Sequence, residues 1–224
     1  MNDDPASTIY LVDDDPDLRK ALQRLLESAG MKVAGFGSAR EFLAAHDRHA
    51  AGCLVLDLSM PGLSGLQLQR ELEQTANPLP IVFLTGRGDI AASVQAMKHG
   101  ATDFLTKPVD DAELLAAVRE ALSVDRQRRR GGAERDRIAQ SLATLTVRER
   151  QVLEQVVAGR LNKQIAAELG TVEKTIKFHR GNLMRKMGAR SVADLVRLVE
   201  RAGSGTLPDD RADASRASSS RLND

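Results

Sequence analysis

The first half of the chain alternates short apolar runs with segments in which apolar residues recur every three or four positions. Short apolar runs bounded by turn-forming residues predict strands that are buried on both faces of a sheet. The runs occupy positions 9–12, 33–36, 53–56, 81–84 and 104–105. Helical periodicity follows each run, which gives five strand–helix units. This pattern predicts an α/β fold over residues 1–122, with a doubly wound five-stranded parallel sheet in the order 2-1-3-4-5.

The second half of the chain shows helical periodicity only. Thr146 and Glu149 form a capping box that begins a helix, a second helix covers 162–169, and a third runs from about Val172 to Met187. A fourth helix begins near residue 191. Two helices joined by a short turn with a glycine predict a small all-α helix-turn-helix domain over residues 141–203.

Two further segments carry few apolar residues. Residues 123–140 contain a run of arginines followed by Gly131 and Gly132, which predicts a linker that is helical at most on either side of the glycines. Residues 204–224 are rich in Ser, Asp and Arg and are predicted to be a disordered tail.

The predicted third helix of the second half has two distinct faces. Positions Val172, Ile176, Leu183 and Met187 share the face that is expected to enter the core. The opposite face carries Lys174, Lys177, Phe178, Gly181 and Arg185. Cations suit phosphate or guanine and a ring suits thymine methyls, so this face indicates a helix that enters the major groove of DNA. The alternative is a solvated basic helix whose Phe178 lies under a contact between domains.

Composition separates the two halves by charge. The chain has 224 residues and a net charge of +1, but residues 1–120 carry −7 while residues 141–203 carry +6. A basic domain favours nucleic acid as its partner. A single cysteine, Cys53, excludes intramolecular disulfides and fits a reducing cytoplasm. No apolar run reaches membrane-spanning length, so a cytoplasmic location without a membrane partner is expected.

Polar residues follow four of the predicted strands. Asp13, Asp14 and Asp15 follow the first, Asp57 the third, Thr85 and Gly86 the fourth, and Lys107 and Pro108 the fifth. The carboxyl ends of parallel strands meet at one edge of a sheet, where ligands bind. Clustered carboxylates repel one another unless a cation balances them. A set of oxygen ligands with few protein contacts favours Mg²⁺ beside the Lys107 ammonium.

Other interpretations of the acidic cluster fit the sequence less well. The spacing of Asp13, Asp15 and Asp17 starts like a calcium loop, but Leu18 and Arg24 stand where that loop requires glycine and glutamate. No phosphate-binding loop with a Gly-Lys-Ser or Gly-Lys-Thr end occurs in the sequence, which argues against a P-loop ATPase. A magnesium-dependent phosphatase with an aspartyl nucleophile stays open as a rival.

These motifs resemble the receiver domain of two-component response regulators over residues 7–122. The resemblance implies that Asp57 is the phosphoacceptor and that Mg²⁺ is held by Asp13, Asp14, Asp57 and the backbone carbonyl of Ser59. It also implies that Lys107 pairs with the phosphoryl group and precedes a cis peptide bond to Pro108. Thr85 and the aromatic Phe104 are implied to switch together, with the ring filling the space that the Thr85 side chain vacates.

Residues 144–202 resemble the LuxR-type domain of FixJ/NarL regulators. Three sequence segments carry the resemblance: Leu-Thr-Val-Arg-Glu-Arg at 145–150, Gly-Arg-Leu-Asn-Lys-Gln-Ile-Ala at 159–166 and Thr-Ile-Lys-Phe-His-Arg at 175–180. The resemblance implies base contacts by Lys177, Phe178 and Gly181. Arg180 and Lys186 are expected to hold phosphates. One residue departs from the pattern, because Val172 stands where the recognition helix is usually capped by Ser or Thr. Either Thr171 caps the helix from one position earlier, or the cap is lost.

Together these features predict a transcription regulator and not an enzyme. A sensor histidine kinase is expected to phosphorylate Asp57, the phosphorylated chain is expected to form a homodimer on promoter DNA, and RNA polymerase is a further possible partner. A rival hypothesis is a DNA-binding regulator that works without phosphorylation and uses its receiver only for dimerisation.

Overall fold

The computed structural model of the chain describes residues 7–47, 49–74, 78–86 and 90–203. The chain divides into two compact units, Met1–Arg130 and Gly131–Asp224. Each unit has a hydrophobic core of its own. The segment predicted as a disordered tail, residues 204–224, lies outside the described residues.

The first unit alternates strands and helices, as the apolar pattern predicts. Its elements are β1 Thr8–Val12, α1 Pro16–Ser28, β2 Lys32–Phe36, α2 Ala39–Ala45, β3 Gly52–Asp57, α3 Gly65–Glu73, β4 Ile81–Thr85, α4 Ile90–Lys98, β5 Asp103–Thr106 and α5 Asp111–Ala143. All neighbouring strands pair in parallel. The order β2-β1-β3-β4-β5 confirms the predicted doubly wound sheet.

Helices cover both faces of the sheet. The core on one face includes Leu22 and Leu26 of α1 together with Leu114 of α5. The core on the other face includes Phe42 of α2 and Leu68 of α3. Because both faces are covered, every residue of the inner strands β1, β3 and β4 is buried, which explains why these strands are continuous apolar runs. Cys53 lies in this core, and burial raises the pKa of its thiol to about 12, which keeps the thiol protonated and unreactive at neutral pH.

The register of the sheet brings the polar residues to one edge. Val12 pairs with Leu56, and Thr85 pairs with Thr106. Asp13, Asp57 and Lys107 therefore emerge at the carboxyl ends of neighbouring or nearly neighbouring strands. The sheet itself positions the candidate site.

Helix α5 differs most from the sequence prediction. It continues without interruption from Asp111 to Ala143 and includes residues 123–140, for which the sequence predicted a linker. The two ends of the helix explain the difference, because each is held by a hydrophobic core. Leu114 and Val118 lie in the core of the first unit, whereas Ile138 lies in the core of the second. Packing at both ends outweighs the low helix propensity of Gly131 and Gly132.

The second unit is helical, as predicted. Its remaining helices are α6 Val147–Val157, α7 Asn162–Glu168, α8 Glu173–Met187 and α9 Val192–Ala202. A short turn with Gly170 in the left-handed region (φ 62°) joins α7 to α8, which is the helix-turn-helix arrangement. Across the described part of the chain, none of the helices is both long and apolar enough to cross a membrane.

Candidate functional site

Three carboxylates converge at the carboxyl edge of the sheet. Asp13 and Asp14 follow β1, and Asp57 ends β3. One oxygen from each carboxylate can be chosen so that the three lie within 4.8 Å of one another. Asp13 is fully buried and Asp57 is 5% exposed, whereas Asp14 faces solvent. This arrangement confirms that the sheet brings these predicted residues together.

Lys107 supplies the counter-charge. Its Nζ lies 2.8 Å from Asp13 Oδ2 and 2.8 Å from Asp57 Oδ2. Burial pushes the pKa of Lys107 down, but the hydrogen bonds to Asp13 and Asp57 outweigh it and raise that pKa. Burial raises the pKa of Asp13, and the hydrogen bond from Lys107 opposes that rise. The peptide bond between Lys107 and Pro108 is cis, as the resemblance implies.

Backbone groups hold the carboxylates in place. The Asp15 amide donates to Asp13 Oδ1 at 2.9 Å, and the Ser59 amide donates to Asp57 Oδ1 at 3.1 Å. The Arg19 guanidinium donates to the backbone carbonyl of Asp13 at 2.5 Å. Sequence reasoning missed Arg19, because the helical pattern of α1 gives no sign that this side chain turns back to the end of β1.

The donor set fits a small divalent cation. All three side chains offer carboxylate oxygens, the ligands that Mg²⁺ prefers, and the exposed Asp14 leaves an open side for water or a phosphoryl oxygen. One ammonium faces two buried carboxylates, so a further cation would balance the remaining negative charge.

Thr85 and Phe104 lie on the strands next to the pocket. Thr85 is buried at the end of β4, and its hydroxyl donates to the carbonyl of Gly86 at 3.1 Å. Its backbone carbonyl accepts from the amide of Lys107 at 2.8 Å. Phe104 on β5 is 42% exposed. The ring therefore points outward while the Thr85 hydroxyl is engaged with its own chain.

The recognition helix α8 presents the predicted basic face. Ile176, Leu183 and Met187 are buried in the second core. The residues predicted on the opposite face are exposed, namely Lys174, Lys177, Phe178, Gly181 and Arg185. Phe178 is 65% exposed, so a large ring among cations faces solvent within this unit.

Val172 is a correction. The sequence placed it on the buried face, but it is 65% exposed, because it precedes the helix as its N-cap in an extended conformation. Its side chain forms no cap hydrogen bond. Of the two outcomes that the sequence left open, capping by Thr171 or loss of the cap, the second holds.

Two predicted phosphate contacts are engaged within the domain. Arg180 donates to Asn162 Oδ1 at 2.8 Å and stays half-buried. Lys186 donates to Glu149 Oε2 at 2.7 Å and to the carbonyl of Thr144 at 2.8 Å. Glu149 is 4% exposed and requires a cation, so the ammonium of Lys186 ties α8 to the start of α6. The sequence revealed Glu149 as a capping residue but not its partner 37 positions away.

Each of the two units matches the model of a known protein family. Residues 9–119 match the model of the response regulator receiver domain, and residues 143–199 match that of bacterial regulatory proteins of the luxR family. Nodulation protein W from Bradyrhizobium diazoefficiens is 47% identical over 195 residues, which are 87% of this chain and 86% of that protein. The chain belongs to the response regulators.

Further relatives of this response regulator have the same two-domain extent. The transcriptional regulatory protein FixJ of Bradyrhizobium diazoefficiens is 43% identical over 87% of this chain and 95% of its own length. The solved structure of the response regulator StyR superposes with a TM-score of 0.80 at 45% identity, over 88% of this chain and 99% of StyR. Full-length FixJ from B. japonicum gives a TM-score of 0.56 at 41% identity, over 91% of this chain and 100% of that one. This response regulator therefore combines a receiver with a LuxR-type DNA-binding domain that serves transcription regulation.

Proposed function

We propose that a sensor histidine kinase phosphorylates this response regulator on Asp57 and that the phosphorylated protein binds promoter DNA in a sequence-specific way. The observation that carries the proposal is the contact of Lys107 with both Asp13 and Asp57 at 2.8 Å. A buried carboxylate held by a cation, with two further carboxylates beside it, combines a nucleophile with the charges that phosphoryl transfer requires.

Asp57 acts as the nucleophile. One of its oxygens attacks the phosphorus of a phosphohistidine or of acetyl phosphate, the bond from phosphorus to the leaving group breaks, and an acyl phosphate forms on Asp57. Asp13, Asp14, Asp57 and the Ser59 carbonyl would hold Mg²⁺, which supplies positive charge to the phosphoryl oxygens. Lys107 lies 2.8 Å from Asp57 Oδ2 and follows the negative charge onto the new phosphoryl group.

The phosphoryl group then recruits Thr85. The Thr85 hydroxyl donates to Gly86 in the structure, and this contact is weaker than a hydrogen bond to a doubly charged phosphoryl group. Movement of Thr85 towards Asp57 vacates space at the end of β4. The ring of Phe104, which is exposed, turns inward to fill that space and changes the surface of α4 and β5.

Lys177, Phe178 and Gly181 read bases in the major groove, with Lys174 and Arg185 beside them on the exposed face of α8. Arg180 holds a phosphate from the position where Asn162 fixes it. Lys186 was expected to hold a phosphate too, but its ammonium is bound to Glu149. Its role in this proposal is to fix the end of the recognition helix.

Phosphorylation is tested by labelling with acetyl phosphate. The parent protein should gain one acid-stable, base-labile phosphoryl group when Mg²⁺ is present, and Asp57→Asn should gain none. Asp17→Asn, which changes an exposed carboxylate, is the matched control and should label normally. Labelling of Asp57→Asn, or labelling after Mg²⁺ is removed, contradicts the proposal. Steady turnover of a phosphomonoester would support the phosphatase rival instead.

Base recognition is tested on duplexes selected from random-sequence DNA. Lys177→Ala and Phe178→Ala should change the preference among related duplexes, since a good base contact contributes about 1–3 kcal/mol of discrimination. Arg180→Ala should weaken binding to all duplexes alike and flatten the salt dependence. Unchanged preference in both of the first two variants would place the recognition surface elsewhere. Equal binding by the parent and by Asp57→Asn, with and without phosphodonor, would favour the phosphorylation-independent rival.

A further inference from the structure

Helix α5 is locked to the receiver well beyond the last residue that the receiver model matches, residue 119. Asp125 is buried and accepts a hydrogen bond from the amide of Gly52 at 3.0 Å. Arg129 donates to both carboxylate oxygens of Asp125, at 3.0 and 2.8 Å. Arg129 also donates to the carbonyls of His49, at 2.9 Å, and of Ala50. We call Asp125 and Arg129 the clamp.

The clamp is a complete arrangement of charge and hydrogen bonds. A buried carboxylate is costly unless it is paired and hydrogen-bonded, and Asp125 is satisfied by the amide of Gly52 and by the Nε–H of Arg129, which its two oxygens share. The contacts reach the loop before β3, at the amino end of the sheet and therefore at the edge opposite the acidic pocket. The clamp thus fixes the helix as far as residue 129.

A second anchor begins at Ile138, seven residues after Gly131. Ile138 is buried in the core of the second unit, and Leu142 packs against that core. The segment between Arg129 and Ile138 has no large apolar residue to hold it. Its residues other than Gly132 and Glu134 are exposed from Arg130 to Arg137.

Gly131 and Gly132 lie inside this unanchored segment, and nothing in the described structure requires glycine there. A Cβ added at either position would meet no heavy atom within 4 Å beyond the chain neighbours and the helix's own backbone. Neither residue has the positive φ that favours glycine. Two alanines would make the helix about 20-fold more stable at this point. The glycines therefore weaken the helix without a steric reason.

We propose that Gly131 and Gly132 are a joint at which the helical hydrogen bonds of α5 open between its two anchored segments. The clamp keeps this opening from spreading towards the receiver beyond Arg129. The regulatory part of the proposal rests on the proposed function. The pairing of two receivers is fixed by their own contact surface, whereas the spacing of two recognition helices is fixed by the DNA. A joint between them lets one dimer satisfy both geometries.

The joint is tested by amide hydrogen exchange on the full chain, which does not depend on phosphorylation. Amides of residues 130–136 should exchange faster than those of 114–122 and 138–142, because exchange reports local opening. Gly131→Ala combined with Gly132→Ala should slow the middle segment about 20-fold. Gln127→Ala, an exposed position on the clamped side, is the matched control and should leave the pattern unchanged.

The clamp is tested by Arg129→Met, which keeps the aliphatic stem and removes the guanidinium. Fast exchange should then extend back towards residue 123, while Arg130→Met, at the exposed neighbouring position, should leave the boundary in place. Asp125→Asn, with nearly the same shape, gives the same test if Arg129→Met does not fold. An unmoved boundary in the folded clamp variants contradicts the role of the clamp.

Two results overturn the joint: uniform slow exchange across α5 in the parent, or no slowing in the double alanine variant. The regulatory role is read from the ratio of DNA affinities with and without acetyl phosphate, measured on a duplex selected from random sequence. That ratio should fall at least fivefold in the double alanine variant. Slowed exchange with an unchanged ratio overturns the regulatory role. If acetyl phosphate does not change the DNA affinity of the parent, the proposed function fails. The exchange measurement still decides whether the joint exists.

Discussion

Asp13, Asp57 and Lys107 show how position in the sheet produces chemistry at the scale of single residues. Each lies at the carboxyl end of a strand of the same parallel sheet, and the register of the sheet brings the three side chains together. Lys107 is the only one of the three that carries positive charge, so it holds two buried carboxylates that would otherwise repel each other. The contribution of the Lys107 ammonium to stability can therefore be compared with that of a metal cation at the same carboxylates.

Lys107→Met should destabilise the receiver in the absence of Mg²⁺ by about 2–3 kcal/mol, since removal of one partner leaves buried charges uncompensated; this value allows for the 23% exposure of the Lys107 side chain. Mg²⁺ bound at the acidic cluster would restore positive charge beside the same carboxylates. We therefore expect Mg²⁺ to raise the free energy of unfolding more in Lys107→Met than in the parent. Urea unfolding with and without Mg²⁺ measures this difference, with Lys98→Met as the control. Equal stabilisation by Mg²⁺ in the two proteins would contradict a shared role.

The sequence predicts the residues of the acidic pocket because a sheet fixes the position of residues at the ends of its strands. A residue directly after a strand is placed by the sheet, so Asp13, Asp57, Thr85 and Lys107 were predicted together. A side chain on a helix can turn several ways, and pattern alone does not say which. The contact of Arg19 with the carbonyl of Asp13 and that of Lys186 with Glu149 are of this second kind, so the sequence did not predict them.

At the scale of helices, Glu149 and Lys186 join the start of α6 to the end of α8. The hydrogen bond from Lys186 is the largest cause of the lowered pKa of Glu149, and the Thr146 amide adds to it. A carboxyl whose folded pKa lies below its unfolded value stabilises the fold above the unfolded value of about 4.5 and loses that contribution as the pH falls.

Glu149→Gln should therefore destabilise the second unit at neutral pH and much less at acid pH. The difference in free energy of unfolding between parent and variant should shrink as the pH falls below about 4.5, the ordinary pKa of glutamate. Urea unfolding from pH 3 to pH 7, conditions chosen around that value, measures it. Glu154→Gln, an exposed glutamate of the same helix, serves as the control. A difference that does not depend on pH would mean that the ion pair adds nothing.

The start of α8 offers a gain in stability. Val172 is the N-cap and its side chain caps no amide, whereas a threonine oxygen would accept from one of the first amides of the helix. Val172→Thr should raise the free energy of unfolding of the second unit by about 1 kcal/mol. Val172→Ala, which shortens the side chain without adding an oxygen, should give no such gain in chemical unfolding. A gain of equal size in both variants would point to the exposed apolar surface of Val172 and not to the cap.

Helix α5 marks the limit of sequence reasoning at this scale. The five strands and the presence of a helix after each were predicted, because local periodicity decides them. The continuity of α5 depends instead on contacts far away in the sequence: Asp125 with Gly52, Arg129 with His49, and Ile138 with the second core. Local composition favoured a linker at Gly131 and Gly132, and tertiary anchoring at both ends overrode it.

At the scale of the whole molecule, the two units carry net charges of opposite sign. Residues 1–120 carry −7 and residues 141–203 carry +6, so the charge of the receiver suits cations and the charge of the second unit suits DNA. A single recognition helix of 15 residues offers few base contacts. Affinity for an operator is therefore expected to depend on joining two copies.

We expect phosphorylation to produce a dimer through the face made by α4, β5 and α5. Val94 and Met97 on α4 are exposed large apolar residues, and exposed apolar side chains favour an interface when they are contiguous. Joining two DNA-binding domains makes the second contact intramolecular and raises apparent affinity by roughly 10²–10⁴. The operator should then contain a two-fold repeat with half-sites about one helical turn apart.

Sedimentation of the protein with and without acetyl phosphate measures this assembly. Met97→Lys, which adds charge to the apolar face, should keep the phosphorylated protein monomeric and remove the gain in DNA affinity while Asp57 is still labelled. Ala21→Lys, at an exposed position on α1, makes the same chemical change away from this face and should dimerise like the parent. A phosphorylated parent that sediments as a monomer at concentrations where it already binds DNA tightly would exclude dimerisation. Regulation would then have to act within one chain, through the helix that its two units share.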